Sequence, residues 1–387
     1  MLSKPIDLLL PGRGEDIARI QRSRGRIALT DAERDALSSL YDESVANQSS
    51  EDAEVVRLLT RSFSRGESIP EYYRYTSLHV YDWFLARCRD DPVCASVIAM
   101  RTTLVDLVAY ERTEANRHDT APEHIGERLA RLERLLDQID TMVLNPTGTV
   151  RGRDLADRAE RDAALRWQLF LLIQCTGFPQ SDDHNEYMFL RSVQACDLVF
   201  YLIRWIACRA TLAVNARESD AAFWLDQLAT CAALLDGIYH VLKTLSPQQF
   251  MNFREATGDS SAVQSINFHL MEIAVYGYDP RKAEVFDRFS HLQELNDSSF
   301  RRHWSLREAV RAVSDPKLTT AFAKVERILL TWRGRHYGIV RLYLPKNIKG
   351  SGGTDGAAYL RRFVDKNDFL PGAQGQMDPR LFDFGIR

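Results

Sequence analysis

The chain has 387 residues, 45% of them hydrophobic and 27% charged, with a formal net charge of -3. That is enough chain for two domains and a substantial core, and the balance of charge offers no basic face for nucleic acid or a membrane surface. The longest apolar run, Leu198 to Ala207, is interrupted by Arg204 and is too short to span a bilayer.

Taken in order, the elements are helical. The N-terminal "MLSKPIDLLLPGRGEDIAR" has a short apolar run and no cleavage-type site, so no signal peptide is read and the protein is expected in the cytoplasm. "TDAERDALSSLYDESV" opens with Thr30 as N-cap and Glu33 three residues later, the spacing of a capping box. Residues 123 to 144 place Ile125, Leu129, Leu132, Leu135, Leu136 and Ile139 on one stripe. "VLNPTGTVRGRD" (143 to 154) and "TGFPQSDDHNE" (176 to 186) are breaks rich in turn residues. The boundary is expected between 145 and 180, giving a helical extension or cap over 1–150 and a second domain over 151–387. Long amphipathic helices are predicted over 218–245 and 319–344, the latter ended by Pro345. No run alternates as a strand would, so the fold class is all-α, a helical bundle. Six cysteines at 88, 94, 175, 196, 208 and 231 form no C-x-x-C pair and read as reduced thiols in apolar helices.

His336 falls on the last of these helices, between Arg335 and Tyr337, and "KGSGGTDG" follows. A long apolar helix with one inward histidine offers a single imidazole to a heme iron, with the second ring nitrogen oriented by an acceptor. The glycine-rich stretch supplies backbone N–H groups and hydroxyls able to wrap a polar group. It is not a phosphate-binding P-loop, because no Lys-Ser or Lys-Thr follows the second glycine and no strand precedes it.

"WRGRHYGIVRLYL…GSGGTDGAAYLRR" resembles the C-terminal signature of the tryptophan 2,3-dioxygenase superfamily, in which a W-R-x-x-H helix gives the heme ligand and a G-T-G-G-S-x-G loop closes over an amino acid. The loop here comes one residue later. "LSPQQFMNFREATGDSSAVQSINFHLMEI" (245 to 273) is similar to a second motif of that superfamily, and "HNEYMFLRSVQACDLVF" (184 to 200) to a third. Together these segments cover about the last 205 residues; residues 1 to 150 have no counterpart.

The resemblance implies heme b, with His336 on its iron and Arg361 near its propionates. It implies an aromatic amino acid held by Arg254, Phe250, Ser351 and Gly352. Dioxygen or hydrogen peroxide would be the oxidant, and the protein would be a homo-oligomer. The superfamily's distal histidine falls on Val193, its glutamate on Asp197 and its tryptophan on Val199. That departure, with the "F-L-R-x-x-Q" wording at Phe189 to Gln194, points to the superfamily's tyrosine-hydroxylating members from natural-product pathways. Val340, four residues after His336, removes the cysteine that links heme covalently in one such branch. His184 and His269 are the candidate proton-handling groups. Glu272 is expected to tie helices together, Trp205 and Trp332 to be core, and His118, His124, His291 and His303 to be solvated. The alternatives are a tryptophan or substituted-tryptophan 2,3-dioxygenase, and a helical heme- or partner-binding protein without turnover.

Overall fold

The computed structural model describes residues 8–384 apart from 24, 48–49, 89–90, 118–119, 121, 345–349, 351–352, 354, 367–371 and 374–376. Five short helices come first: α1 (Gly14–Ser23), α2 (Asp31–Ala46), α3 (Glu51–Thr60), α4 (Glu71–Thr76) and α5 (Leu78–Arg87). Longer ones follow, α6 (Pro92–Ala115) and α7 (Glu123–Thr141), then the short α8 (Gly152–Arg161) and α9 (Ala163–Gln174). The second half has α10 (His184–Asn215), α11 (Ala221–Leu242), α12 (Pro247–Arg254), α13 (Ile266–Tyr276), α14 (Ala283–Arg288), α15 (Ser298–Arg301), α16 (Leu306–Val313), α17 (Pro316–Tyr343) and α18 (Ala357–Val364). Among the described residues the only β pairing is an isolated bridge between Val143 and Arg151. The fold is all-α, as the sequence predicts.

Local chemistry sets the helix ends. Thr30 and Glu33 form the expected capping box, and Ser246 with Gln249 and Ser305 with Glu308 repeat it. Proline stands in the first turn of α6, α12 and α17, where its missing N–H costs nothing. The break at 143–154 is folded back by the Val143–Arg151 bridge, and α8 starts there at Gly152. A Cβ on Gly152 would lie 1.9 Å from the Ile139 carbonyl oxygen, so only glycine permits this approach.

The central element is α10, packed against α6, α11, α13 and α16, while α11 also supports α17 and α7. One apolar core runs from Leu10 to Phe384 and crosses the 145–180 region without interruption. The N-terminal part shares that core. Arg26 and Ile27 donate backbone hydrogen bonds to Pro179 and Gln180, and the Arg26 guanidinium lies over Phe63 and Phe178. One described helix, Pro92–Ala115, is long and apolar enough to cross a membrane, a feature the apolar-run search missed. Of its apolar window, 67% is buried inside the molecule, which is how the core helix of a packed domain looks.

Candidate functional site

The site is built from the facing stripes of α10 and α17. α17 starts at Asp315, whose side chain accepts from the N–H groups of Lys317 and Leu318. It then carries Trp332, His336, Ile339 and Tyr343 at helical spacing on one face. His336 is half-buried. The Tyr239 ring of α11 stands edge-on to it at 5.3 Å, and Trp332 tilts over it at 6.1 Å. Neither His336 ring nitrogen has a hydrogen-bond partner among the described residues, so the acceptor expected on its second nitrogen is not there. Burial alone pushes its pKa from 6.5 down to about 4. The imidazole is therefore neutral near pH 7 and keeps its lone pair, as a metal ligand must. Arg335, the next residue back, turns away to Asp236 and His240 and pins α17 to α11 beside the histidine.

On the opposite side α10 presents Phe189, Val193, Cys196 and Phe200, again at i, i+4, i+7 and i+11. The two stripes meet at one end, where Phe200 packs on Trp332 at 5.6 Å. At the other end they are bridged by Phe250 of α12, 5.7 Å from Phe189 and 5.7 Å from Tyr343. Val193 and Cys196 share that helix face between the two ends, and the Cys196 thiol lies near the Tyr239 phenol of α11. Burial raises the pKa of both the Cys196 thiol and the Tyr239 phenol, so both are neutral. Arg254, half-buried, ends α12 one turn after Phe250, on the same helix face.

The structure thus places Phe250 between Phe189 of α10 and Tyr343 of α17, with Arg254 one turn after it on α12, while His336 packs with Tyr239 and Trp332. Ser351 and Gly352 lie outside the described residues, as does His118. His184 is placed elsewhere. It precedes Val193 by nine residues, two and a half helical turns, and so points from the opposite face of α10. There it stacks on Tyr110 at 4.6 Å, and its Nε2 meets Glu111 at 3.1 Å. Glu111 in turn accepts from the buried Arg128. His269 is also occupied. Its Nε2–H donates to the Val263 carbonyl at 2.8 Å, and its Nδ1 accepts from Lys282 at 3.2 Å. Burial and the Lys282 charge hold it neutral, well below the ordinary histidine range. Arg361 is exposed on α18 and pairs with Asp365 at 3.1 Å.

Other expectations are met or corrected by packing. Glu272 does tie helices together, with Lys282 and with Lys366 at 2.7 Å. Trp332 is core, while Trp205 is half-buried. His303 is not solvated. It is 2% exposed, and burial lowers its pKa to about 4. His291 is partly buried and hydrogen-bonded to the Gln264 carbonyl at 2.8 Å. The six cysteines are free, five of them buried. Cys196 and Tyr239 are the site residues that motif reading passed over. The signal for Cys196 was its register with Phe189 and Val193.

The donor set fits a heme. The imidazole is neutral, half-buried beside the Tyr239 and Trp332 rings, and without a hydrogen-bond partner among the described residues, which leaves a nitrogen free to hold an iron. No family model matches the chain. It is similar to tryptophan 2,3-dioxygenases: 24% identical to that of Ruegeria pomeroyi over 232 residues, 49% of this chain and 83% of the relative. Against those of Bacillus thuringiensis subsp. konkukian and Geobacillus thermodenitrificans the identity is 22% and 23% over 231 residues, 49% of this chain and 82% of each relative. These similarities support membership of the tryptophan 2,3-dioxygenase superfamily.

Proposed function

We propose that the protein is a heme-dependent oxygenase acting on an aromatic amino acid, with His336 as the ligand to the heme iron. The observation that carries this reading is the His336 imidazole itself, neutral, half-buried beside Tyr239 and Trp332, and without a hydrogen-bond partner among the described residues. A neutral imidazole with a free lone pair is what a metal ligand requires.

When bound, heme b supplies a redox-active iron that activates dioxygen, chemistry no side chain here possesses. The chain's residues do the rest. Arg254 presents a planar fork of donors suited to the amino acid's carboxylate, and Ser351 and Gly352 complete the grip on its charged end. Phe189 and Phe250 hold the ring, so that proximity supplies much of the selectivity. Val193 and Cys196 keep water from the reacting face. Arg361, exposed on α18 and paired with Asp365, would offer a positive charge to a heme propionate if one came within reach. His184 and His269 act as positioning residues for α10 and α13, since each is held by its own partners away from the reacting face.

Two points support dioxygen over peroxide and ring opening over hydroxylation. Peroxide activation requires a group that relays a proton between the two oxygens, and the two candidates, His184 and His269, are each held by other partners. The similar proteins named above are all tryptophan 2,3-dioxygenases, which favours insertion of two oxygen atoms over the hydroxylation suggested by Val193. Residues 1–150 contribute helices to the shared core and outer surfaces for homo-oligomer contacts, in a cytoplasmic enzyme.

The test is the visible spectrum of the heme-reconstituted protein beside His336→Ala, with and without aromatic amino acids. A sharp Soret band that His336→Ala weakens, and that an aromatic amino acid shifts, is expected. A spectrum indifferent to His336 overturns the assignment. Product mass then separates one added oxygen atom from two.

A further inference from the structure

Arg204 and His303 are buried without full hydrogen bonding, and both lie against the segment that ends in residues 377–384. Arg204 of α10 is wholly buried, and its Nε and Nη1 have no partner among the described residues. Its Nη2 donates to the Asp383 carbonyl, and the guanidinium lies over the Tyr201 ring at 4.9 Å. His303, between α15 and α16, is 2% exposed, and neither ring nitrogen is paired among the described residues. The chain crosses it where the Ala373 N–H donates to the Arg302 carbonyl at 2.9 Å, and Asp378 is the charge that acts on its ring. A buried polar group left unpaired weighs against the packing that buries it.

Little apolar surface holds residues 377–384 down. Leu381 and Phe384 are buried, Phe384 meets Tyr201 edge-on at 5.2 Å, and Phe382 meets Trp205 at 6.3 Å. The Tyr201 hydroxyl donates to the Phe382 carbonyl at 3.1 Å. Arg380 reaches Asp378, Glu294 and Ser299 and lies over the Phe300 ring. Asp378 is therefore already engaged, its two oxygens accepting from Arg380 Nε and Nη2 at 3.0 and 2.8 Å. It stands near His303 as a charge and not as a hydrogen-bond partner. The charged residues flanking His303 are turned elsewhere: Arg301 to Tyr278, Arg302 to Ser298, and Glu308 to Ser305 and the Gly372 N–H. Burial keeps the imidazole neutral, lowering its pKa to about 4 against the attraction of Asp378. An imidazolium formed there meets no acceptor, and it regains hydration only when the covering segment lifts.

We propose that residues 377–384 form an acid-released strap over α10: protonation of His303 displaces them and uncovers the face carrying Tyr201, Arg204 and Trp205. The inference is independent of the heme reading. Burial under the docked strap holds His303 near 4, and the lifted strap returns it to the ordinary 6.5, so the lifted form takes up the proton first. Docking is complete above pH 6.5 and weakens as pH falls toward 4. Between pH 7 and pH 5 the docking constant falls by about 20-fold.

The test is hydrogen–deuterium exchange of the full-length protein at pH 7 and pH 5, corrected for the intrinsic rate and read on peptides from 377–384, α10 and α17. Wild-type protection over 377–384 is expected to fall by about 20-fold at pH 5 while α10 and α17 keep theirs. His303→Phe is expected to remove most of that fall. Arg204→Met takes away a group that does not titrate in this window and is expected to leave the fall in place. Unchanged wild-type protection at pH 5, or a loss shared by α10 and α17, overturns the inference on the wild-type protein alone. A fall that persists in folded His303→Phe assigns the release to the carboxylates around Arg380 and overturns it equally.

Discussion

Two histidines, His336 half-buried on α17 and His269 fully buried on α13, sit in opposite kinds of surroundings. His269 is enclosed in an ionic cluster, with Lys282 on one nitrogen, the Val263 carbonyl on the other, and Glu272 joining Lys282 to Lys366. His336 is bordered by Tyr239 and Trp332 and has neither nitrogen engaged. Burial lowers the pKa of both. The difference lies in satisfaction. A cluster whose every charge is met holds helices in place and has nothing left to offer a ligand. A desolvated imidazole with free lone pairs is costly to the fold by itself, and it is ready to bind. Hydrogen-bond partners separate these two histidines but do not alone mark a ligand, since the buried His303 also has neither ring nitrogen paired among the described residues.

The largest expected effect breaks the satisfied region. Glu272 is 4% exposed and faces Lys282 and Lys366, and these positive charges hold its carboxyl well below the usual carboxylate range. Glu272→Gln leaves two buried ammonium groups without their counter-charge. A loss of about 3–5 kcal/mol in unfolding free energy is expected, read by urea denaturation, because breaking a buried pair strands its partner. Heme affinity in the surviving folded fraction should stay within about twofold of wild type. A large loss of heme affinity without a loss of stability would mean that the cluster, and not the α10–α17 face, holds the cofactor.

Sequence reading found one of these regions and misjudged the other for a physical reason. His336 stood out as a single inward imidazole on a long helix, whereas Phe250 and Arg254 were singled out only through the resemblance of residues 245–273 to a superfamily motif, and their roles are proposals. The all-α class, the capping box at Thr30 and the role of Glu272 were legible on the same terms. The partners of His184 and His269 were not. Glu111 lies 73 residues from His184, and Lys282 lies 13 residues beyond His269, across the turn after α13. His303 looked solvated in its polar stretch, yet the chain passes over it near Gly372 and Asp378 and buries it. The continuous core across 145–180 was hidden likewise, since turn-forming residues mark a break in helix and say nothing of what packs around it. Helical phase alone, however, would have placed His184 half a turn from the Val193 wall.

A second experiment sharpens the contrast through pH. In the folded chain burial holds His336 at about 4, against 6.5 in the open chain. Between these values the unfolded chain takes up the proton first. The stability tied to neutral His336 is therefore complete above pH 6.5 and is lost as pH falls toward 4, by on the order of 2 kcal/mol. Wild-type apoprotein should lose stability relative to the volume-matched His336→Phe over that window, and the two should run parallel above it. Denaturation at pH 7, 5.5 and 4.5 reads this directly. Parallel curves across the whole range would mean that His336 is solvated and ordinary, and that its ligand role has no support in its surroundings.

The smallest effect tests the register of α10, on which the whole facing wall depends. His184 shares the helix with Val193 but looks the other way, stacked on Tyr110 and bonded to Glu111, with Glu114 3.9 Å from its second nitrogen. A glutamine keeps an amide donor for Glu111 and loses the stacked ring. His184→Gln should then cost no more than about 1 kcal/mol, the scale of one exchanged hydrogen bond and one aromatic contact. The Soret band and its response to an aromatic amino acid should not move. A variant that kept its stability and lost that response would rotate α10 by half a turn in the reading above. It would put His184, in place of Val193, against the substrate and return a proton-handling group to the site.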